Sequence, residues 1–280
     1  MADRQNVLVV TDSTADIPRQ WADDLGIVVV PLTVMFGTES FRDGIDLSPT
    51  EFLNRLREAP TLPTTSQPPV TAFETVFRDA RERGQDVVCV TISADLSGTH
   101  NAARLAADAV DPERIRIVDS RAMTMQEGWV AIAAARRARE GASFDQVAEA
   151  AEAAISRARL YAVLRTLDYV HKGGRIGRAQ QLVGSALAIK PILGVVDGIV
   201  TPVERVRTWK KAVTRVAELI TSTPTDIVVI HSDNLDDAQG VAAKLRHSYP
   251  DARIDIGWAG AAIATYAGPG AVGVAALYPE

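Results

Sequence analysis

Apolar and polar positions along this chain fall into blocks whose period changes from strand-like to helical and back. Val87 to Ile92 (VVCVTI) is a continuous apolar run rich in β-branched residues, short enough for a strand buried on both faces. Asn6 to Val10 and Arg114 to Val118 read as further strands. Between them, Pro18 opens a short helix that Gly26 ends, and Ser48 begins another with the capping-box spacing to Glu51. Helices follow at Val70 to Arg83, Asn101 to Val110 and Gln126 to Glu140. Ile27 to Phe36 reads as extended, and Gly37 to Ser48, with its Asp43-Gly44 turn, as a small excursion. Pro60 to Pro69 (PTLPTTSQPP) holds four prolines, which remove donors and fix φ, so a stiff extended loop is expected.

The second half has a different rhythm. A helix from Phe144 to Arg157 hands over to a strand from Leu160 to Arg165, then to a basic, glycine-broken loop, His171 to Arg178. Pro191 to Val196 and Ile199 to Val206 flank Asp197-Gly198, a two-residue hairpin signal. Helix Thr208 to Ile220, strand Ile227 to Ile230, helix Leu235 to Arg246 and strand Arg253 to Gly257 follow. Ile256 to Leu277 is apolar but glycine-broken, which suits a core segment rather than a membrane helix.

The fold class expected is α/β. Residues 1–158 form a domain with a mainly parallel sheet flanked by helices, carrying a small inserted segment around 37–60. Residues 159–280 form an α+β domain with a mixed or antiparallel sheet. In open parallel sheets ligands sit beyond the carboxyl ends of the strands. The loops at Asp12-Ser13, Ser97-Gly98-Thr99 and Asp119-Ser120 would share that edge.

Composition narrows the function classes. The chain has 280 residues, a net charge of −5 and no long basic run, which argues against nucleic acid as a partner. A single cysteine, Cys89, excludes an intrachain disulfide and suits a reducing cytoplasm. No apolar span is long enough for stable membrane insertion. No H-E-x-x-H, Cys/His cluster or P-loop is present, so neither a metal nor a nucleotide cofactor is expected. Gly268 to Gly273 matches G-x-G-x-x-G literally. No helix with an acidic residue about 20 positions on follows, so the glycines predict a tight turn and close backbone approach.

The Leu96-Ser97-Gly98-Thr99 turn between a strand and a helix start is the candidate site. Free N–H groups, the helix dipole and two hydroxyls suit an anion there; the alternative is that Ser97 or Thr99 simply caps the helix. His100, three residues from Ser97, leaves open a Ser97–His100 nucleophile pair.

Six motifs, in order and in register, carry a resemblance: Thr11-Asp12-Ser13-Thr14-Ala15-Asp16, Thr65-Ser66-Gln67-Pro68, Leu96-Ser97-Gly98-Thr99, Gly173-Gly174-Arg175-Ile176, Ile189-Lys190-Pro191-Ile192-Leu193 and Gly268-Pro269-Gly270-Ala271. The chain resembles the DegV family over nearly its whole length. The resemblance implies a ligand tunnel between the two domains holding a long-chain fatty acid. It further implies a non-enzymatic carrier that presents the acyl carboxylate to a separate ATP-dependent kinase subunit, which forms the acyl phosphate.

The family's carboxylate contacts fall on Thr65 and Ser97, with Gly98 and Thr99 in the same turn. Tyr266 stands where histidine is usual in family members, which changes head-group geometry. Arg175, Arg207 and Lys190 match positions for kinase docking or phosphate binding; solvated surface charge is the alternative for them. Small residues at Ala259 to Ala264 and Gly184 to Ala188 could leave a channel for the tail. Rival functions are a Ser97/His100 hydrolase, a phosphoryl-transfer enzyme, and a lipid-sensing module without a kinase partner.

Overall fold

A computed structural model describes residues 6–183 and 189–280. Its order is β1 (Val7–Asp12), α1 (Arg19–Leu25), β2 (Val28–Val30), β3 (Thr33–Phe36), β4 (Glu39–Arg42), α2 (Pro49–Glu58), β5 (Thr64–Ser66), α3 (Val70–Glu82), β6 (Asp86–Thr91), α4 (Thr99–Val110), β7 (Ile115–Asp119), α5 (Met125–Arg139) and α6 (Phe144–Ile155). The second half continues with β8 (Ala158–Val163), α7 (Asp168–Lys172), β9 (Lys190–Val196), β10 (Ile199–Val206), α8 (Trp209–Glu218), β11 (Asp226–His231), α9 (Leu235–Ser248), β12 (Arg253–Trp258), α10 (Ala261–Ala267) and β13 (Val272–Leu277).

The N-terminal sheet is parallel, in the order β2-β1-β6-β7. Every residue of β6 is buried, because helices cover both faces. Val87 and Cys89 pack with Phe73, Phe77 and Ala103 of α3 and α4. Val88 and Val90 point the other way, into a core with Trp129 and Ile132 of α5. The C-terminal sheet is mixed, in the order β10-β9-β8-β13-β11-β12, with β11–β12 the parallel pair. The apolar core around α5 runs on into it through Leu160, Val228 and Ala275. Arg136 of α5 also sends a fork of two hydrogen bonds, at 2.8 and 2.7 Å, to the Asp226 carboxylate on β11. α5 thus ties the two sheets together.

Two local expectations are corrected. Ile27 to Phe36 is not one extended segment. Pro31 lacks the N–H a ladder needs, so β2 ends before it and β3 joins a separate antiparallel sheet, β4-β3-β5. Pro60 to Pro69 is not all loop either. Its prolines flank Thr64–Ser66, whose own N–H groups remain free, and that tripeptide pairs with β3, placing Thr65 opposite Val34. The excursion after Gly37 supplies the third strand of this sheet, β4.

The Asp197-Gly198 turn joins β9 and β10 as a hairpin. Its tip meets the end of β6: Ser93 Oγ donates to Gly198 O at 2.9 Å and Arg121 Nη2 to Asp197 O at 2.8 Å. The apolar segment 256–277 divides into the end of β12, the short helix α10 and the central strand β13. Gly268 and Gly270, both at positive φ, make the turn between them. The Gly184 to Ala188 stretch lies outside the described residues. Among those described, no helix is long and apolar enough to cross a membrane.

Candidate functional site

The carboxyl ends of β1, β6 and β7 lie side by side, and the loops leaving them meet β5, α7 and α10. Thr14, Thr65, Ser97, Arg175 and Tyr266 line one cavity there, with Leu32, Ile92 and Ile263 among its apolar walls. Four side-chain oxygens and one guanidinium therefore border one space, and two of those oxygens, on Thr65 and Tyr266, come from residues 201 positions apart.

Each group is held by its neighbours. Thr65 Oγ1 and Tyr266 OH are 2.6 Å apart, one donating to the other. The Tyr266 ring is seated on Gly173, where a β-carbon would lie 2.4 Å from its Cδ1. The Arg175 guanidinium lies 5.3 Å from the centre of the same ring and donates to Leu96 O and Gly173 O. Arg175 has no carboxylate partner among the described residues. A cation satisfied only by carbonyls at a cavity edge remains able to bind an anion.

Ser97 Oγ is 2.9 Å from Thr99 Oγ1 and accepts the Thr99 N–H at 3.3 Å. Gly98 itself is the N-cap of α4 and makes no side-chain cap. The Gln67 side chain covers it so closely that a β-carbon would fall 1.9 Å from Gln67 Oε1. Thr99 is fully buried and acts on the cavity through Ser97. His100 turns away, with Nδ1 3.1 Å from Thr91 Oγ1, and no hydrogen bond joins it to Ser97 among the described residues. The hydrolase pairing is therefore not assembled.

The basic positions separate into two places. Arg175 borders the cavity. Lys190 pairs with Val206 at the far end of the β9–β10 ladder, beside Arg207, and its Nζ donates to Arg165 O at 2.8 Å. Gly177, two residues after Arg175, packs against Val200 near the hairpin tip instead. From Val200 to Val206 the strand covers about 20 Å at ~3.3 Å per residue, so these basic residues do not form one cluster.

A second, apolar cavity adjoins the first and shares Met123, Val170, Val200, Ile263 and Tyr266 with it. It lies on the inner face of the C-terminal sheet, walled by Leu160, Ala162, Leu164, Leu193 and Ile230. Gly194 and Gly273 keep its floor low: β-carbons there would meet Leu160 O at 2.9 Å and Ala162 Cβ at 3.2 Å. Ala259 and Ile263, from the small-residue segment singled out in the sequence, line it as well. The interatomic space, including the part open to solvent, is about 660 Å³ for this cavity and about 460 Å³ for the polar one.

Behind the polar cavity lies an acidic group: Asp12 and Asp16 come from the first motif, whereas Glu127 and Asp43 are not among the candidate site residues. Asp12 and Glu127 are fully buried and share the Thr14 hydroxyl. Asp16 and Asp43 accept the N–H groups of Gly260 and Ala261 at 2.8 and 2.9 Å, fixing the start of α10, which carries Tyr266. Burial pushes the Asp12 and Asp43 carboxyls up, and Asp16 and Glu127 well up, from the usual carboxylate range. A signal was present for Glu127: it is the lone charge in Met125 to Ala135, an otherwise uncharged stretch of α5. Among the described residues no group of three His, Cys, Asp or Glu side chains could hold a metal ion.

Comparison with known proteins gives this arrangement its context. The family model described as "Uncharacterised protein, DegV family" matches residues 6–279. A DegV domain-containing protein of Streptomyces coelicolor is 39% identical over 276 residues, covering 96% of this chain and 98% of the relative. Among solved structures, a DegV family protein from Thermus thermophilus, described for its fatty acid binding, superposes with a TM-score of 0.91 at 32% identity, covering 98% of this chain and 100% of that one. DegV from Bacillus subtilis, described as a fatty acid binding protein, gives 0.89 at 31% identity, with 98% and 99% covered. With its polar cavity adjoining an apolar one and its family match spanning nearly every residue, the chain belongs to the DegV family.

Proposed function

We propose that this protein is a non-enzymatic carrier of a long-chain fatty acid, its carboxylate at Thr65 and Ser97 and its tail in the adjoining apolar cavity. The observation that carries the reading is the adjacency of the two cavities, which share five lining residues: hydroxyls and one guanidinium in one, aliphatic walls in the other. An amphiphile with one small anionic head matches that division. The hydroxyls of Thr65, Ser97 and Tyr266 supply convergent donors, and Arg175 offsets the charge. Each buried methylene contributes about 0.8 kcal/mol, so most of the affinity comes from the tail. The Thr65–Tyr266 hydrogen bond keeps both hydroxyls satisfied without ligand and places them where a carboxylate can take them over. The description of the Thermus and Bacillus relatives as fatty acid binding supports the same ligand class.

The family resemblance extends the proposal to presentation of the acyl carboxylate to a separate ATP-dependent kinase subunit. Arg175 then serves the head group or the new phosphate, while Lys190 and exposed Arg207 belong to a distinct partner-facing patch. A lipid sensor without a kinase would bind ligand equally well, and pull-down of a kinase subunit separates the two.

Titration of palmitate into wild type, Ser97→Ala and Thr65→Val tests the head-group assignment. Loss of a hydrogen bond to a charged group costs about 1.5–3 kcal/mol, so each variant should bind about 10–100-fold more weakly. Wild-type affinity in both variants would remove the carboxylate from this end.

A further inference from the structure

Glu127 is fully buried, and its carboxyl reaches the Thr11 and Thr14 hydroxyls and the neighbouring Asp12 carboxyl. Thr11 Oγ1 lies 3.2 Å from Oε1 and Thr14 Oγ1 lies 2.9 Å from Oε2. Thr14 Oγ1 is also 2.5 Å from Asp12 Oδ1. A threonine hydroxyl owns one proton, so it can donate to only one of these two carboxyls. The other contact needs a proton from the carboxyl itself.

The backbone decides which carboxyl that is. Asp12 Oδ1 accepts the Thr14 N–H at 2.9 Å and Oδ2 accepts the Ile92 N–H at 3.0 Å. Both Asp12 oxygens face fixed donors, which favours the ionised form. Every group is satisfied when Thr14 donates to Asp12, Glu127 Oε2 carries a proton and donates to Thr14, and Oε1 accepts from Thr11. Thr14 in turn lines the polar cavity.

We propose that Glu127 is a neutral carboxylic acid that positions Thr14 at the wall of the head-group cavity, and that losing this proton expels the bound fatty acid. The proposal rests on the fatty-acid reading of that cavity. The groups around Glu127 make ionisation costly. Asp12 on β1 and Asp16 just beyond it are acidic, and Asp43, after β4, acts on both of them. The Cys89 thiol of β6 is itself pushed well up by burial and so is neutral. Among the described residues no lysine or arginine pairs with or hydrogen-bonds to Glu127. Burial first, then the Asp12 charge, holds its carboxyl well above the usual range. A second buried anion beside Asp12 would face an anionic head group across Thr14, and both Thr14 contacts could no longer be met.

The test compares Glu127→Ala, Glu127→Gln and Asp12→Asn in the full chain. Glutamine reproduces the neutral acid: its amide oxygen accepts from Thr11 and its amide nitrogen donates to Thr14. Asparagine at 12 cannot substitute, because either orientation turns an NH₂ toward a backbone N–H. Palmitate affinity is measured by calorimetry from about pH 6.5 to about pH 10. The wild type should lose about tenfold or more toward the alkaline end. Glu127→Ala should bind weakly throughout, and Glu127→Gln should restore binding and flatten the alkaline loss. An alkaline loss in the glutamine variant matching the wild type, or an alkaline plateau in the wild type, overturns the proposal.

A wild type that binds no palmitate at any pH defeats the fatty-acid reading instead. Thermal unfolding then still decides the protonation. A carboxyl raised in the folded state adds stability below its unfolded value and loses it as pH climbs through its folded value. Glu127→Gln should therefore melt above the wild type at neutral and alkaline pH, and a lower melting temperature there refutes a neutral Glu127.

Discussion

Gly173→Ala is the sharpest probe of how the head-group end is built. The backbone at Gly173 is ordinary (φ −75°, ψ −7°), so alanine brings no dihedral strain. What it brings is a β-carbon 2.4 Å from Tyr266 Cδ1, 2.6 Å from Cε1 and 3.1 Å from Tyr169 O. To reach an ordinary 3.4 Å contact the ring must retreat by about 1 Å. A retreat of that size along the Thr65–Tyr266 bond, now 2.6 Å, would carry it to about 3.6 Å, outside hydrogen-bonding range. Overpacking of this kind costs about 1–3 kcal/mol, or roughly 2–4 °C of melting temperature per kcal/mol in a large domain. Calorimetric unfolding and palmitate titration should show both effects together.

The control is the same substitution in a Tyr266→Ala background. With the ring gone the two closest contacts vanish and only Tyr169 O, at 3.1 Å, still presses on the added methyl, so most of the penalty should disappear. An equal penalty in both backgrounds would mean that Gly173 is needed for something other than seating Tyr266. Wild-type melting and lipid affinity in Gly173→Ala would refute the packing argument outright.

The link between the sheets gives the remaining predictions. Arg136→Ala strands the buried Asp226 carboxylate and should lower unfolding stability by about 2 kcal/mol, below the 3–5 of a fully enclosed pair because Arg136 is partly exposed. Burial alone would raise the Asp226 carboxyl, but the Arg136 fork holds it below its usual value. That stability is present above the unfolded carboxylate value and is lost as pH falls through the folded one. Chemical denaturation of the wild type should show this acid-side loss, and Arg136→Ala should shrink it; an unchanged acid slope would assign the loss elsewhere.

The sequence showed the framework clearly because its signals were local. The buried run Val87 to Ile92, the Ser48–Glu51 capping box and the Asp197-Gly198 turn each depend on neighbouring residues alone, and each stands as expected. Thr64–Ser66 was hidden because prolines dominate its segment, while pairing depends on a partner strand thirty residues away. The division of residues 256–277 was hidden because helix and strand there are equally apolar; the turn at Gly268 and Gly270 separates them. Of the candidate site, the motifs placed Thr65, Ser97, Arg175 and Tyr266, which share one cavity. They could not show that Tyr266 reaches Thr65, that Gly173 makes room for it, or that Glu127 shares Thr14 with Asp12. Those relations join residues 93 to 201 positions apart and exist only in the packed chain.

Native mass spectrometry of the purified protein decides whether it carries a fatty acid. One long-chain fatty acid per chain is expected, retained under gentle ionisation and released on unfolding. A protein that carries no lipid as purified, and takes up none from a fatty-acid mixture, would contradict the fatty-acid reading.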